Sequence, residues 1–95
     1  MYARTFSAEV QPGKLDDFVG FFQGERLAEI QRAPGNAGFL VLADPDTNKV
    51  LNISLWDTPE AMTTAGALFK EHAATFGQWL ARPPAPAGYS VRVKV

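Results

Sequence analysis

Residues 50–56, Val-Leu-Asn-Ile-Ser-Leu-Trp, alternate regularly between two kinds of side chain. Successive side chains of a β-strand point to opposite faces, so this stretch predicts a strand whose two faces differ. One face carries Leu51, Ile53 and Leu55, and the other carries Asn52, Ser54 and Trp56. Asn is disfavoured within strands, and a Trp beside it is an unusual choice for a face in water. We therefore expect both faces to be covered.

The remaining hydrophobic pattern predicts three further strands and two helices. The strands are expected at residues 2–10, 38–43 and 89–95, and the helices at residues 14–30 and 59–80. Thr58, Pro59 and Glu60 form a favourable helix start, as cap, first helical residue and acidic group at the positive end of the helix dipole. The proline-rich residues 82–86 are expected to end the second helix and to form a stiff connector.

Four glycines lie inside the predicted helices, and three of them bear on the course of the helices. Gly20 and Gly24 are one turn apart in the first helix, and each costs about 1 kcal/mol relative to Ala. Either the helix bends at these glycines or another element packs closely against them, and we favour close packing, which would explain why no larger side chain is present. Gly66 is expected to interrupt the second helix.

The predicted order of elements is strand, helix, strand, strand, helix, strand. This is the order of two split βαβ units, an α+β ferredoxin-like fold with a four-stranded antiparallel sheet, here as a single domain over residues 1–95. Helices cover one face of such a sheet and leave the other bare. Because the aliphatic face of residues 50–56 would then lie in water, we expect a homodimer whose two sheets pack face to face, a dimeric α/β barrel.

By elimination, the face with Asn52 and Trp56 lies beneath the helices of its own chain. A buried Asn or Ser without a hydrogen-bond partner costs about 1–3 kcal/mol, so this layer must be satisfied locally, hydrated or filled by a ligand. We expect a cavity between sheet and helices that binds a small aromatic or apolar molecule. The residues predicted to contact this ligand are Thr5, Ser7, Ser54, Phe22, Phe69 and Phe76.

Composition narrows the chemistry that this chain can perform. It has no Cys and a single His, His72, so disulfides, thiolate chemistry and a Cys/His metal site are not expected. Nine basic and ten acidic residues are scattered singly, with a formal net charge of -1, which predicts no nucleic-acid partner. No apolar run is long enough to span a membrane and the first ten residues do not resemble a signal peptide, so a cytoplasmic protein is expected. His72 is the obvious candidate for a general base.

Residues 51–62, Leu-Asn-Ile-Ser-Leu-Trp-Asp-Thr-Pro-Glu-Ala-Met, resemble the antibiotic biosynthesis monooxygenase-like family of dimeric α/β barrels. The typical signature of that family is a strand ending in Trp, an acidic residue, a Ser or Thr cap, and Glu-Ala opening the helix. The order of elements and Pro34-Gly35 before the second strand extend the resemblance over nearly the whole chain. The family includes quinone-forming monooxygenases, haem-degrading enzymes and members of unknown role, so the resemblance is more specific for fold than for activity.

Within that family, the cofactor-free monooxygenases of aromatic polyketide pathways have an Asn four residues before this Trp, as Asn52 precedes Trp56. The resemblance implies that Asn52 holds a phenol or phenolate oxygen and that Trp56 lines the oxygenation site. It also implies that no flavin or metal is needed, because an electron-rich phenolate can itself reduce oxygen. These enzymes use a basic residue from the second helix, for which Lys70 is the nearest candidate. The haem-degrading branch resembles the chain less, because a further Trp of that branch corresponds here to Ala65 or Gly66.

The predicted function is therefore a cofactor-independent monooxygenase, an oxidoreductase acting on a flat phenolic compound, with Asn52, Trp56 and His72 as catalytic residues. The alternative is a non-catalytic dimeric barrel that binds a small apolar ligand or acts as an assembly module, and an isomerase or decarboxylase of the same fold is a third possibility. Each residue also has a structural interpretation. Trp56 can be a packing residue, Asn52 can bond to a helix backbone group, and His72 can be a packed side chain with one hydrogen bond. Arg4 is expected to pack its stem beside Phe6 and to extend its head into solvent.

Overall fold

A four-stranded antiparallel sheet with helices on one face makes up the computed structural model, which describes residues 1–95. The strands are β1 (Tyr2–Glu9), β2 (Asn36–Asp44), β3 (Lys49–Trp56) and β4 (Ala85–Ser90). The helices are α1 (Leu15–Phe21), α2 (Glu25–Arg32) and α3 (Pro59–Phe76), and a short 3₁₀ turn (Gly77–Trp79) follows α3. The strand order β2-β3-β1-β4 is that of the ferredoxin-like fold, so the predicted fold class is confirmed.

The first predicted helix is two helices rather than one. Gly24 separates α1 from α2 with φ 60° and ψ −124°, a combination that residues with a Cβ rarely adopt. A Cβ added at Gly20 or Gly24 would meet nothing within 4 Å, so the expected close packing against these glycines is wrong. Gly24 is instead required by the backbone conformation that redirects the chain between the helices.

The start of α3 is as predicted, but its interior is not. Thr58 Oγ1 accepts a hydrogen bond from the backbone N–H of Ala61 at 3.1 Å, and Pro59 occupies the first turn. The helix then continues to Phe76 without interruption, so the prediction that Gly66 breaks it is wrong. Burial of one side of α3 against the sheet outweighs the cost of about 1 kcal/mol of a single helical glycine.

The last strand lies earlier in the chain than predicted. β4 pairs with β1 from Ser90 opposite Tyr2 to Ala85 opposite Ser7, so the prediction of a strand at residues 89–95 is wrong. Prolines are tolerated in β4 because it is an edge strand, whose outer side needs no donor for a further ladder. Val93 and Val95, which lie beyond the end of β4, are exposed.

Alternation along β3 divides the sheet into two faces. The helix-covered face contributes to a core of Phe6, Val10, Phe18, Phe22, Ile30, Val50, Trp56, Ala65, Phe69, Phe76 and Leu80. The opposite face is open, and on it Leu40 and Leu42 are 49% and 45% exposed beside Ile53 and Leu51. None of the helices combines the length and apolar character needed to cross a membrane.

Replacing Gly66 and Gly24 by Ala should change the free energy of unfolding in opposite directions. The nearest atom to a methyl group at Gly66 is Arg4 Nε at an ordinary 3.8 Å, so Gly66→Ala should stabilise the protein by about 0.5–1 kcal/mol through helix propensity. Gly24→Ala places a side chain at positive φ and should destabilise it by about 1 kcal/mol or more. Urea denaturation measures both changes. A destabilising Gly66→Ala would contradict the unbroken helix.

Candidate functional site

A polar row lies on the helix-covered face of β3. Asn52, Ser54 and Trp56 are 3%, 2% and 0% exposed, as their alternation with the aliphatic residues predicts. Trp56 Nε1 donates to Ser54 Oγ at 2.9 Å, and Ser54 Oγ donates to the backbone carbonyl of Arg4 at 3.4 Å. Ser54 therefore satisfies the indole N–H, which fixes the orientation of Trp56 where β3 meets α3.

Asn52 differs from its neighbours in the row, because its side-chain oxygen has no partner. Asn52 Oδ1 is fully covered and accepts no hydrogen bond, from a helix backbone group or from any other donor. A buried polar atom left unpaired costs about 1–3 kcal/mol. Interactions within the chain therefore do not explain why Asn rather than an aliphatic residue occupies this position.

Phenylalanine rings fill the space above Asn52. Phe6 lies opposite Asn52 in the register of β1 with β3, and its ring centroid is 5.2 Å from that of Phe76. The Phe76 ring is in turn 5.7 Å from Phe22. A space beside Phe22 and Phe76, between helices α1 to α3, measures only about 10 Å³, too little for a ligand, and Asn52 does not line it. Asn52 is itself buried, so the predicted cavity does not open at this residue.

Open space between sheet and helix lies instead beside α3 at the β4 edge, and we call it the α3–β4 cleft. It consists of two adjoining parts of about 240 and 330 Å³ that share Arg4, Gly66 and Pro86. The smaller part is also lined by Phe6, Phe69, Lys70, Ala73, Phe76 and Pro84, and the larger by Met62, Thr63, Ala87 and Gly88. Two predicted ligand contacts, Phe69 and Phe76, thus line this cleft.

Phe6 connects the cleft to the polar row. It neighbours Asn52 on the sheet and also lines the smaller part of the cleft. Phe6 and Phe76, whose rings are in edge-to-face contact, both line the smaller part of the cleft, whereas Asn52 does not line it. Phe22, the third predicted aromatic contact, lines the closed space on the side of α1.

Thr5 and Ser7 lie on the other face of the sheet, so their predicted contact with a ligand beneath the helices is wrong. Thr5 pairs with Ile53 and Ser7 with Leu51, which places both hydroxyls on the open face. They lie 3.5 Å from backbone carbonyl oxygens of β4. The same parity places Arg4, opposite Ser54, on the helix-covered face.

Arg4 is half-buried and its guanidinium lies 5.1 Å from the centroid of the Phe69 ring. Burial lowers the pKa of Arg4 below its ordinary value, because desolvation disfavours the charged form. The sequence predicts that the guanidinium of Arg4 extends into solvent. In the structure it packs on Phe69 instead. Lys70, the basic residue considered for the second helix, lines the smaller part of the same cleft.

His72 lies on the other side of α3, in a network of charged groups with α2. Its Nε2 is 3.1 Å from Glu29 Oε1, and Arg26 donates to Glu29 Oε2 at 3.1 Å. Because an ionised carboxylate can only accept, the hydrogen of this bond belongs to His72 Nε2. Nδ1 is then the only nitrogen left to accept a proton, and His72 does not line the α3–β4 cleft. No group of three or more His, Cys, Asp or Glu side chains is arranged to hold a metal ion.

This geometry defines the class of protein: a small α+β domain with a buried polar row and a cleft beside its last helix. The sequence model of the antibiotic biosynthesis monooxygenase family matches residues 1–74. The chain therefore belongs to the antibiotic biosynthesis monooxygenase family, as residues 51–62 predict. No curated protein matches the sequence.

Solved structures with the same fold share little sequence with this chain. A monooxygenase from the gene ActVA-Orf6 of Streptomyces coelicolor, in complex with the ligand nanaomycin D, superposes with a TM-score of 0.82 at 19% identity, covering 99% of this chain and 89% of that one. A candidate antibiotic biosynthesis monooxygenase from Nitrosomonas europaea gives 0.78 at 22% identity, covering 96% and 98%. A conserved protein from Methanosarcina mazei gives 0.81 at 14% identity, covering 97% and 94%. At these identities the likeness establishes the fold.

Replacing Glu29 should make stability less dependent on pH in the acid range. The pKa of Glu29 is lowered chiefly by the hydrogen bond from His72, with Arg26 contributing in the same direction. A carboxyl whose pKa is lower in the folded state stabilises the fold above its unfolded pKa, and this contribution disappears as pH falls through the folded pKa. Glu29→Gln should therefore be less stable than the parent near neutral pH, and the difference should shrink as pH falls below the ordinary pKa of Glu and disappear below the lowered pKa of the folded state. Urea denaturation from pH 3 to 7 measures it, and a difference independent of pH would contradict the assignment.

Proposed function

We propose that this protein is a cofactor-independent monooxygenase that oxidises a flat phenolic compound. The observation that carries the proposal is the unpaired, fully covered Asn52 Oδ1 in a chain of the antibiotic biosynthesis monooxygenase family. A phenol hydroxyl can donate to this oxygen, and a phenolate oxygen can accept from the amide N–H of the same side chain. Either contact would remove the cost of leaving Asn52 unpaired.

The substrate would lie in the α3–β4 cleft and extend towards Asn52. Phe6 and Phe76 line the cleft and Asn52 does not, so we expect binding to require these two side chains to change rotamer and to contact the substrate ring themselves. Phe69 and Phe76 then keep the predicted role of aromatic contacts, and Trp56 remains at the end of the polar row, hydrogen-bonded to Ser54. Lys70 at the cleft can favour the phenolate over the phenol by placing a positive charge nearby.

The chemistry needs only the substrate and dioxygen. In an anthrone, for example, the ring CH₂ becomes a carbonyl: the two C–H bonds are lost, one atom of O₂ becomes the carbonyl oxygen, and the other leaves as water with both hydrogens. Carbon gives up four electrons and O₂ accepts four. The chain contributes by holding the phenolic oxygen and by excluding water from the reacting carbon.

The fold comparison supports small-molecule binding by this scaffold, since the Streptomyces coelicolor monooxygenase of the same fold is in complex with nanaomycin D. A non-catalytic barrel would explain why Asn52 is buried and does not line the cleft. It would leave the unpaired amide without a purpose, whereas oxygenation of a phenol explains the amide and requires only that two rings move.

Asn52→Leu should raise stability while it lowers activity. The substitution removes an unpaired buried oxygen at similar volume, so the free energy of unfolding should be unchanged or higher by up to about 2 kcal/mol. Oxygen uptake with a panel of anthrones and hydroquinones should fall at least about tenfold, because a lost hydrogen bond to the phenolic oxygen is worth that factor.

Ser54→Ala is the matched comparison in the same row. It leaves the Trp56 indole N–H without its acceptor and should lower the free energy of unfolding by about 1–3 kcal/mol. If no compound of the panel is oxidised, or if Asn52→Leu oxidises them at the parent rate, the proposed function is wrong. Binding without oxygen uptake would support the non-catalytic barrel.

We also propose that two copies pack through the open sheet face, with the helices outside. This face presents exposed Leu40 and Leu42 next to half-buried Leu51, Ile53 and Leu55. Exposed aliphatic rows of this kind on a single sheet face are typical of surfaces covered by a partner. Because the face is the same in both copies, it can form a self-complementary interface.

A double substitution on this face should produce monomers. Leu40 and Ile53 are neighbours in the register of β2 with β3, and placing Lys at both positions would bury four charges in a symmetric interface. Light scattering during size-exclusion chromatography should give twice the 10.3 kDa chain mass for the parent and 10.3 kDa for the double variant. Val93→Lys, at an exposed Val outside the sheet, is the control and should remain dimeric. A parent that elutes as a monomer would contradict the proposed dimer.

A further inference from the structure

The charge lining the α3–β4 cleft has a single sign. Arg4 and Lys70 line it, and no Asp or Glu does, although the whole chain has ten acidic and nine basic residues. The cleft is therefore a local exception to a balanced surface. Its positive charges face an opening large enough for a small aromatic molecule.

Arg4 is set apart from the other partly buried charges by having no ionic partner. Arg26 pairs with Glu29 across 3.1 Å, and Arg82 pairs with Glu9 across 3.2 Å. No carboxylate lies within ion-pair distance of Arg4. Its guanidinium rests on Phe69 and, as its lowered pKa reflects, has lost part of its hydration.

The surroundings of Arg4 leave its donors accessible from the cleft. Gly66, on the facing turn of α3, lacks the side chain that would otherwise occupy the space 3.8 Å from Arg4 Nε. Opposite Gly66, Pro86 has no backbone N–H donor, and Met62 forms a flexible apolar wall. The donors of a guanidinium form a planar fork that matches the two oxygens of a carboxylate.

We propose that Arg4 is a specificity-determining residue that binds a carboxylate substituent of an aromatic ligand, so that the cleft selects aromatic acids over neutral compounds of the same shape. The acid group lies on Arg4 at the opening, and the ring system lies against Phe69 and the rings deeper in the cleft. The inference rests on the proposed function only in taking this cleft as the place where the substrate lies.

Two probes of equal size test the selection directly. Isothermal titration calorimetry at pH 7 compares 2-naphthoate with 2-naphthamide, under anaerobic conditions so that no turnover interferes. The parent protein should bind the naphthoate at least about tenfold more tightly than the amide, a ratio typical of a charge-assisted hydrogen-bonded pair. Arg4→Met keeps an unbranched apolar stem beside Phe69 but removes the charge, and it should reduce this ratio to about one without weakening the amide.

Arg4→Lys and Arg32→Met complete the design. Arg4→Lys keeps the charge but loses the fork and should give an intermediate ratio. Arg32 is exposed and outside the cleft, so Arg32→Met removes one positive charge from the chain and should leave the parent ratio unchanged. Circular dichroism establishes that each variant is folded. If Arg4→Met is not folded, the parent ratio and Arg4→Lys decide.

The inference is overturned if the parent binds the two probes equally, if it binds neither, or if folded Arg4→Met keeps the preference for the acid. This outcome is separate from the fate of the proposed function. A preference for naphthoate without oxygen uptake on any phenol would leave the Arg4 site standing and remove the oxygenase. Asn52-dependent oxygen uptake without a preference for acids would support the oxygenase and remove the Arg4 site.

Discussion

The constraint on which the rest of the structure depends is the parity of β3, an inner strand with partners on both sides. Its backbone hydrogen bonds go to β1 and β2. What remains to be determined is which of its side chains point to each face of the sheet. A shift of one residue would move Asn52 and Trp56 to the open face and press the aliphatic row under the helices. Burial of the Trp56 indole, whose N–H donates to Ser54, strongly favours the arrangement with Asn52 and Trp56 under the helices.

Features that depend on neighbouring residues in the chain could be predicted from the sequence. The alternation of β3 and the Thr58 cap of α3 are local, and both are present. Features that depend on tertiary context could not. The prolines of β4 are compatible with a strand only because that strand lies at the edge of the sheet. Gly66 is tolerated within α3 because the helix is packed on the sheet, whereas the break at Gly24 required a backbone angle that sequence alone does not reveal.

The candidate site shows the same division. Burial of Asn52 follows from the alternation of a single strand, and it was predictable. The placement of Thr5 and Ser7 was not, because it depends on how the alternation of β1 is set against that of β3, and only the pairing of Thr5 with Ile53 establishes this. Arg4 was predicted to extend its head into solvent for a general reason: long basic side chains on apolar faces usually reach water, and only the absence of a carboxylate partner distinguishes this one.

Three locally unfavourable choices lie around the same part of the molecule: an amide oxygen without a donor, a guanidinium without a carboxylate, and a glycine within a helix. Natural sequences keep such choices mainly where function requires them. Asn52 and Arg4 are diagonal neighbours on β3 and β1, a relation that places their backbones about 7–8 Å apart. Phe6 lies opposite Asn52 and follows Arg4 by two residues on the same face of β1. A two-ring molecule with a hydroxyl at one end and an acid group at the other would have the length to satisfy both side chains at once. Movement of the Phe6 and Phe76 rings is then the step that joins Asn52 to the α3–β4 cleft. A ligand that pairs Asn52 and Arg4 removes the free-energy cost of leaving each of them unpaired, and this gain becomes part of its affinity.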